Sequence, residues 1–536
     1  MSHDRESAIE ALVAASEPTA PRALAGLLDR LQRVGLLLDP GAQGTEAVSG
    51  VTEDSRRASG GRLFVAVPGF HVDGHAYVAA AAAGGAAAAL VERVVAGADI
   101  RQIVVRDARA ALAEAAGWWY GDPSRELGVI GITGTDGKTT TSFLAAAALE
   151  AAGLATGLIG TVETRVGRIR ERHAAHITTP GAPELQATLR AMAMTGDTVA
   201  VVETTSHALE LGRVAGIAYD AAVLTNLTHE HLELHGTFER YRAAKVSLFE
   251  MLAGSAKTVG GRTWPKVAVI NLDDAAAPWF AQAAVASGAR VIGYGTAAGA
   301  VVRPTTVQED AQRLRIVYNA PSGRGELALR LAGRFNVQNA LAVVALAEGL
   351  GLDPGAVRAG LEGVTGVPGR MERIDAGQPF GVIVDYAHSP ASLATVLDLL
   401  APVAGAAGGA LIAVFGSAGE RDTAKRAVMG RVAGERCRLV IATDEDPRGE
   451  DGLAIVAEIV AGAVGAGRAA GTDVLGIPDR RTAIAEAFAR ARPGDLVLLA
   501  GKGHETTILY ADHALPWDEA AVARQTLAEM GWPSGE

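Results

Sequence analysis

From Leu127 onward, short apolar runs alternate with Ala/Leu-rich helical stretches, and this alternation leaves few folds open to the chain. Each intervening stretch is long enough to cross over a sheet, which is typical of parallel strands with helices on both faces. We therefore predict a central doubly wound α/β domain. The strand-like runs are LGVIGIT, TVAVVETT, YDAAVLTNL, KVAVINLDD and RVIGYG.

The same pattern predicts two further α/β domains. A chain of 536 residues is too long for one core. A small unit spans Val48 to Val105, and after GVTGVPGRMERI the alternation restarts with four strands that each end in a polar loop, a Rossmann-like arrangement. We predict an N-terminal domain over 1–107, a central parallel-sheet domain over 108–367 and a C-terminal domain over 368–536.

Composition excludes several classes of protein. Hydrophobic residues make up 49% and aromatic residues 4%, with 65 glycines, as in ordered α/β proteins. The net charge of −11 argues against a nucleic-acid partner. Cys437 is the sole cysteine, so we expect no intramolecular disulfide and a reducing cytoplasm. The N-terminus lacks the features of a signal peptide, and the Ala-rich stretches are short and broken by glycine, so no membrane span is expected.

A glycine-rich turn lies in VIGITGTDGKTTTSFLAAAALEAAG, between a predicted strand and a predicted helix. It is not a strict P-loop, because Ile132 stands where the first glycine would fall. Gly134 to Thr139 nevertheless offers consecutive backbone N–H groups, the ammonium of Lys138 and the hydroxyl of Thr139. These groups suit the β- and γ-phosphates of a nucleotide and its Mg²⁺, so we predict that the central domain is a P-loop-type ATPase domain.

Two further motifs admit more than one interpretation. Glu203 ends a predicted strand and could bind Mg²⁺ or simply be solvated. His229, His231 and His235 fall within seven residues, which suggests zinc, although no cysteine supports it and a phosphate site fits better. Lys245 is on a predicted helix, where a plain surface lysine is the alternative to a functional one.

Weaker signals come from residues near the ends of several further elements. Asn336 and Asn339 begin a predicted helix and could cap it or bind a ligand. DYAHSP and GKGHE follow two C-terminal strands. Taken singly, none of their polar residues identifies a function. These residues are Asp385, His388, Lys502, His504 and Glu505.

Nine motifs, in this order, resemble those of the Mur ligase family over about Val51 to Trp517. The resemblance implies an ATP-dependent amide ligase of peptidoglycan synthesis. It would add a diamino acid to UDP-N-acetylmuramoyl-L-alanyl-D-glutamate through an acyl phosphate, as a cytoplasmic monomer with two Mg²⁺ sites. The motifs are GITGTDGKTT, ETTSHALELGR, TNLTHEHLELHG with YRAAK, GRFNVQN, GRME, DYAHSP, GSAGERDTAKR, DEDPRGED and GKGHE.

The resemblance also implies a role for individual residues. ATP would contact Gly134, Thr135, Asp136, Gly137, Lys138, Thr139, Thr140, Asn336, Asp385 and His388, with Arg370 on the γ-phosphate. Ser55 would adjoin the uridine, and Thr178, Thr179, Thr205 and Arg213 would contact the muramoyl peptide. Mg²⁺ would be bound by Thr139 and, at a second site, by Glu203, His231 and Lys245 carrying CO₂ as a carbamate. The incoming amino acid would contact Arg421, Glu445, Asp446, Pro447, Arg448, Gly501 and Glu505.

The identity of the amino acid rests on one loop. Family members that add meso-diaminopimelate commonly read Asp-Asn-Pro-Arg where this chain has Glu445 to Arg448. Arg448 and Arg421 could pair with the distal carboxylate of meso-diaminopimelate, which favours that substrate. Alternatively, Asp446 could neutralise Arg448 and leave a pocket for lysine or ornithine. The motifs also leave open a folylpolyglutamate synthetase-like ligase and a nucleotide-binding regulator without catalysis.

Overall fold

The computed structural model describes residues 7–39, 44–69, 72–172, 177–228, 232–309, 313–331 and 333–532. They form three α/β units in chain order, which confirms the predicted fold class. The N-terminal unit has a four-stranded parallel sheet in the order β3-β4-β5-β6. The first helix, α1 (Ala8–Ala15), packs instead on the central unit, where Ile9 is part of the core. The elements of the N-terminal unit are β1 (Arg22–Ala23), α2 (Leu24–Arg33), β2 (Ala47–Val48), β3 (Val51–Thr52), β4 (Leu63–Val65), α3 (Val78–Ala83), β5 (Ala88–Val91), β6 (Gln102–Val104) and α4 (Ala108–Tyr120).

The central unit contains the longest sheet. Its elements are β7 (Gly128–Thr133), α5 (Lys138–Ala151), β8 (Thr156–Ile159), β9 (Glu163–Val166), β10 (Ile169–Arg172), α6 (Ala182–Thr195), β11 (Val199–Glu203), α7 (Ser206–Glu210), β12 (Ala221–Leu224), α8 (Leu232–His235), α9 (Phe238–Glu250), β13 (Lys257–Val259), β14 (Arg262–Trp264), β15 (Val267–Asn271), α10 (Ala277–Ala286), β16 (Arg290–Tyr294), β17 (Arg303–Glu309), β18 (Leu314–Ala320), β19 (Gly323–Leu329), α11 (Phe335–Leu350) and α12 (Pro354–Gly363).

The central sheet has the order β10-β9-β8-β11-β7-β12-β15-β16. The six strands from β8 to β16 in that order are parallel, as predicted, whereas β9 and β10 pair antiparallel at one edge. The sequence analysis did not predict this hairpin, nor the separate antiparallel sheet of β17, β18 and β19. Along β7, Ile130 and Ile132 face one core and Val129 faces the other, so both sheet faces are covered.

The C-terminal unit has a six-stranded sheet in the order β20-β21-β25-β22-β23-β24, in which β20 is antiparallel and the other strands are parallel. Its elements are β20 (Glu372–Ile374), β21 (Gly381–Asp385), α13 (Pro390–Ala406), β22 (Leu411–Phe415), α14 (Lys425–Arg436), β23 (Leu439–Ala442), α15 (Gly452–Gly465), β24 (Val474–Gly476), α16 (Arg480–Arg490), β25 (Leu496–Ala500), β26 (Thr507–Leu509), β27 (Ala514–Pro516) and α17 (Glu519–Glu529).

Domain boundaries at residues 107 and 367 stay predictions. Helix α4 buries Ala108, Leu112 and Trp119 in the same core as β4 and β5, and it also packs against α6 of the central unit. The helix therefore joins the two units. Within the described part of the chain, no helix is both long and apolar enough to span a bilayer.

A buried ion pair connects α16 to α17, the last helix of the C-terminal unit. The guanidinium of Arg480 donates to both carboxylate oxygens of Glu519, at 2.7 and 2.9 Å, and both residues are buried. Arg480 also donates to the carbonyls of Asp444 and Ala500. Arg480 therefore also ties α16 to the end of β25 and to the loop that follows β23.

Removing one member of this pair is expected to destabilise the C-terminal unit strongly. Glu519→Gln leaves the Arg480 guanidinium buried without its anion, which should lower the free energy of unfolding by about 3–5 kcal/mol. Glu529→Gln is the matched control on the same helix, because its exposed pair with Arg481 should contribute less than about 1 kcal/mol. Urea unfolding followed by circular dichroism measures both, and equal effects would contradict the assignment.

Candidate active site

The glycine-rich turn connects β7 to α5, as predicted. Gly134 has φ 151°, and a Cβ there would lie 1.8 Å from Thr225 Oγ1. Gly137 has φ 81°, and a Cβ there would lie 2.4 Å from Asn339 Oδ1. Only glycine fits both positions without displacing these neighbours. The turn therefore ends at the N-terminus of a 14-residue helix, where backbone N–H groups favour an anion.

Two lysines converge on the carbonyl of Gly134. Lys138 Nζ donates to Gly134 O at 3.0 Å and to Thr135 O at 2.7 Å. Lys245 Nζ, from α9, donates to Gly134 O at 2.7 Å and lies 4.7 Å from the centre of the Tyr241 ring. Lys245 is 1% exposed, so the interpretation of it as a plain surface lysine is wrong.

Glu203 lies at the carboxyl end of β11 and is completely buried, so the interpretation of it as a solvated strand-end residue is also wrong. Its carboxylate accepts hydrogen bonds from Thr139 Oγ1 at 3.1 Å and from Thr161 Oγ1 at 2.8 Å. Burial raises the pKa of Glu203, and the Thr161 hydrogen bond and the positive charges of Lys138 and Arg370 oppose that shift. A buried carboxylate beside a hydroxyl is the hard-oxygen donor chemistry that suits Mg²⁺.

The residues predicted to contact the muramoyl peptide gather beside Glu203. Thr179 Oγ1 donates to the carbonyl of Glu203 at 2.7 Å and lies 3.3 Å from Thr205 Oγ1. Arg213 donates to Thr179 O at 3.0 Å, and Thr161 Oγ1, which donates its proton to Glu203, lies 3.0 Å from Thr178 Oγ1. These side chains therefore adjoin the predicted phosphate and metal groups.

Ser55 belongs to the N-terminal unit, where it begins the short 3₁₀ turn Ser55–Arg57. In the same segment, Glu53 Oε1 lies 3.4 Å from the position of a Cβ on Gly181. Gly181 follows Thr179 by two residues, so Glu53 of the segment TEDSRR lies near the threonines that are predicted to contact the muramoyl peptide. The structure thus brings the predicted uridine segment to the edge of the central site.

The sequence analysis assigned no role to Asn226, which holds the glycine-rich turn from the end of β12. Its Oδ1 accepts from Asp136 N at 2.9 Å and its Nδ2 donates to Asp136 O at 3.2 Å. Thr225 Oγ1 also donates to Asp136 O, at 2.6 Å. The sequence did contain an indication of this role, because the polar segment TNLT follows β12, a strand next to β7 in the parallel sheet.

Two of the three clustered histidines, His229 and His231, lie outside the described residues, and neither the zinc interpretation nor the Mg²⁺ role of His231 is tested. The third, His235, is buried between two rings. Its ring centre lies 5.3 Å from that of Tyr241 and 5.9 Å from that of His207.

Asn336 and Asn339 lie in the first turns of α11 and are buried. The N-cap of this helix is Arg334, so the interpretation of either asparagine as its cap is wrong. Asn339 Nδ2 donates to Asn336 Oδ1 at 2.9 Å, and Thr141 Oγ1 donates to Asn339 Oδ1 at 3.3 Å. The pair therefore borders the glycine-rich turn.

The C-terminal unit contributes Arg370 and Asp385. The guanidinium of Arg370 lies 5.0 Å from the centre of the Tyr386 ring. Asp385 accepts from Met371 N at 2.8 Å and from Ala387 N at 2.9 Å. Burial raises the pKa of Asp385 and the charge of Arg370 opposes that shift. His388, two residues after Tyr386, is exposed, and its Nδ1 lies 2.9 Å from Tyr386 O.

A buried lysine organises the predicted amino-acid loops. Lys502 Nζ donates to Asp446 Oδ1 at 2.8 Å and to Glu505 Oε2 at 2.6 Å. Asp446 Oδ1 also accepts from Leu509 N at 3.0 Å. The Asp446 carboxylate is therefore already paired with a cation, and that cation is not Arg448.

Glu445 and Arg448 flank this pair. Glu445 is buried, which raises its pKa, and a Cβ on Gly501 would lie 2.7 Å from its Oε2. Arg448 has φ 55°, a conformation that is costly for a residue with a side chain and that clusters at functional sites. Pro447 between them is buried, and Arg421, on the loop after β22, is exposed.

Comparison with known proteins identifies the family of this chain. Three family models match in chain order: Mur ligase family, catalytic domain over 47–120; Mur ligase middle domain over 132–347; and Mur ligase, glutamate ligase domain over 369–503. A protein of Roseiflexus sp. named UDP-N-acetylmuramyl-tripeptide synthetase is 50% identical over 491 residues, which cover 90% of this chain and 95% of that protein. The chain belongs to the Mur ligase family. This Mur ligase is accordingly an ATP-dependent, ADP-forming ligase, as the motifs implied.

Further relatives support membership of the same family. Proteins of Deinococcus radiodurans, named UDP-N-acetylmuramyl-tripeptide synthetase, and of Bacillus licheniformis, named UDP-N-acetylmuramoyl-L-alanyl-D-glutamate--2,6-diaminopimelate ligase, are 42% and 40% identical, each over 90% of this chain and 95% of its own. A solved 2,6-diaminopimelate ligase of that name superposes on this Mur ligase with a TM-score of 0.66 at 29% identity, covering 95% of this chain and 99% of its own. A folylpolyglutamate synthase of Mycobacterium tuberculosis, at 21% identity and a TM-score of 0.57, shares the fold.

Proposed function

We propose that this Mur ligase joins meso-diaminopimelate to the D-glutamyl carboxylate of UDP-N-acetylmuramoyl-L-alanyl-D-glutamate. The observation that carries the choice of amino acid is the pairing of Asp446 with Lys502. Because Asp446 is engaged there, it does not occupy the guanidinium of Arg448, which can pair with a distal carboxylate. The names of the relatives support the same class of reaction.

The proposed reaction has two steps. The carboxylate attacks the γ-phosphorus of ATP, the bond to the bridging oxygen breaks, and ADP leaves an acyl phosphate. The neutral amine then attacks the acyl carbon, the C–O bond to phosphate breaks, and the amine proton passes to solvent or to the departing phosphate. Lys138 and Arg370 offset the repulsion between the anionic nucleophile and the phosphates. Exclusion of water protects the acyl phosphate.

We propose that Mg²⁺ binds at two sites. The Thr139 hydroxyl would contact the metal beside the nucleotide phosphates, and Glu203, His231 and Lys245 would bind the second ion. Bound there, Mg²⁺ neutralises charge on the phosphates. Lys245 would carry CO₂ as a carbamate, because an ammonium repels the cation whereas a carbamate offers it anionic oxygens. The burial of Lys245 beside Gly134 supports this assignment.

The remaining predicted residues divide between the nucleotide and the muramoyl peptide. Gly134 to Thr140 would bind the phosphates, and Asn336, Asp385 and His388 the rest of the nucleotide. Ser55, Thr178, Thr179, Thr205 and Arg213 would bind the UDP-muramoyl peptide. We propose that the enzyme is cytoplasmic, because its reaction consumes ATP and a nucleotide-linked precursor, and that it works as a monomer.

A second substrate class is favoured by a specific observation. Glu445 presents its carboxylate beside Gly501, Glu505 bears a second carboxylate whose charge acts on Glu445, and this chain has Asp446 where many diaminopimelate ligases have asparagine. Carboxylates attract an ammonium, which lysine and ornithine carry without a distal carboxylate. These two amino acids are therefore the alternative to meso-diaminopimelate.

Competition decides between the substrates. With meso-diaminopimelate, lysine and ornithine at equal concentration, we expect mainly the diaminopimelate product by mass spectrometry. Arg448→Ala should lower kcat/KM for diaminopimelate about 30–100-fold, the value of a charge-assisted pair, and should affect lysine less. Arg431→Ala, an exposed arginine on α14, is the control. A clear preference for lysine or ornithine rejects our choice, and full diaminopimelate activity in Arg448→Ala rejects the role of Arg448.

A further inference from the structure

Three loops of the C-terminal unit meet at Tyr386, a residue to which the proposed function gives no role. GRME supplies Arg370, whose guanidinium lies over the Tyr386 ring at 5.0 Å. GKGHE supplies Glu505, whose Oε1 accepts a hydrogen bond from Tyr386 Oη at 3.2 Å. Tyr386 itself follows β21 in DYAH. One side chain thus contacts both the residue assigned to the γ-phosphate and a residue assigned to the amino acid.

The surroundings hold the ring in one place. The His388 and His504 rings lie against it, with centres at 4.6 and 4.8 Å. Gly503 has φ 48°, and a Cβ there would lie 2.8 Å from Tyr386 Cβ, so the GKGHE loop approaches closely only because this residue is glycine. The ring therefore has little freedom to rotate away from either partner.

The chemistry of the two contacts differs. Arg370 interacts with the face of the ring as a cation with a π-system, which needs no hydroxyl. Glu505 interacts with the hydroxyl, which keeps its proton because burial and the negative charge of Glu505 raise the pKa of Tyr386. The second oxygen of Glu505 is bound by Lys502, so its carboxylate is oriented from two sides. Ring and hydroxyl can therefore be removed separately.

We propose that Tyr386 is a positioning residue. It holds Arg370 and Glu505 in a fixed arrangement, and so places the acyl phosphate and the incoming amine next to each other for reaction. This inference rests on the proposed roles of those two residues. Because the two contacts use different parts of one side chain, each half of the site can be disturbed by a different substitution.

Steady-state kinetics of two variants test the proposal. Tyr386→Phe keeps the ring and loses the hydroxyl, so KM for the amino acid should rise about fivefold, the value of one weak hydrogen bond, while KM for ATP stays within about twofold. Tyr386→Leu loses both contacts, so both KM values should rise, each about fivefold. Tyr318→Phe removes the hydroxyl of a buried tyrosine in the separate three-stranded sheet and should change neither.

A binding measurement separates this inference from the proposed function. Isothermal titration with ADP and with a non-hydrolysable ATP analogue needs no turnover. Tyr386→Leu should raise the Kd of the ATP analogue about fivefold more than the Kd of ADP, because Arg370 is displaced from the γ-phosphate and ADP has no γ-phosphate. An equal effect on both nucleotides, or a Tyr386→Phe variant whose two KM values change alike, overturns the coupling. If the wild type ligates none of the three amino acids, the proposed function fails, and the titration still decides whether Tyr386 positions Arg370.

Discussion

Lys138→Ala is expected to yield a folded protein with no measurable ligation. The ammonium lies over the glycine-rich turn, donating to the carbonyls of Gly134 and Thr135, where it is held close to the assigned phosphate position. Without it, the carboxylate must attack a γ-phosphate that has lost one of the cations compensating its charge. Removing one preorganised hydrogen-bond donor from such a site lowers kcat about 10²–10³-fold, and removing a full positive charge from a partly desolvated site should lower kcat further.

Phosphate release with UDP-muramoyl dipeptide and each amino acid measures this effect. Lys257→Ala is a matched control, because Lys257 Nζ also donates to two backbone carbonyls, those of Ser124 and Ala218, but lies on β13 away from the glycine-rich turn. It should lose stability, through its pair with Asp220, and keep its turnover when folded. Normal turnover by folded Lys138→Ala would contradict the assignment of the glycine-rich turn as the ATP site.

Lys245→Ala should be equally inactive for a different reason. In our proposal the side chain supplies carbamate oxygens to Mg²⁺, so its loss removes an anionic ligand rather than a cation. Short carboxylates such as formate or acetate should restore part of the activity by occupying the vacated position. Activity with and without added carboxylate, at fixed Mg²⁺, gives the measurement.

Lys245→Arg separates the carbamate from a simple cation. The guanidinium keeps the positive charge but does not form a carbamate, and its bulk fills the space that a carboxylate would need, so this variant should be inactive and resistant to rescue. A ¹³C signal from ¹³CO₂-treated wild type, lost in both variants, is the second readout. An active, substrate-bound enzyme with an unmodified, metal-free Lys245 would contradict the proposal.

The site was predictable in part, for reasons that particular residues show. Gly134, Gly137 and Lys138 were identified because a phosphate-binding turn is local, and its groups are adjacent in the chain. Asn226 was missed because it acts on Asp136 across neighbouring strands, at a separation of 90 residues. The same limit applied to Asp446, which the sequence analysis could pair with Arg448 but which the structure pairs with Lys502.

The alternation of buried strands with helices, the three α/β units and the family were determined by the sequence alone, because continuous apolar runs and motif spacing are encoded over short stretches of chain. The antiparallel edge of the central sheet, the burial of Glu203 and Lys245, and the meeting of Arg370, Tyr386 and Glu505 were decided by the tertiary structure. Burial and the pairing of charges depend on which distant segments pack together. A carboxylate at the end of a strand has the same local sequence whether water or a neighbouring loop covers it.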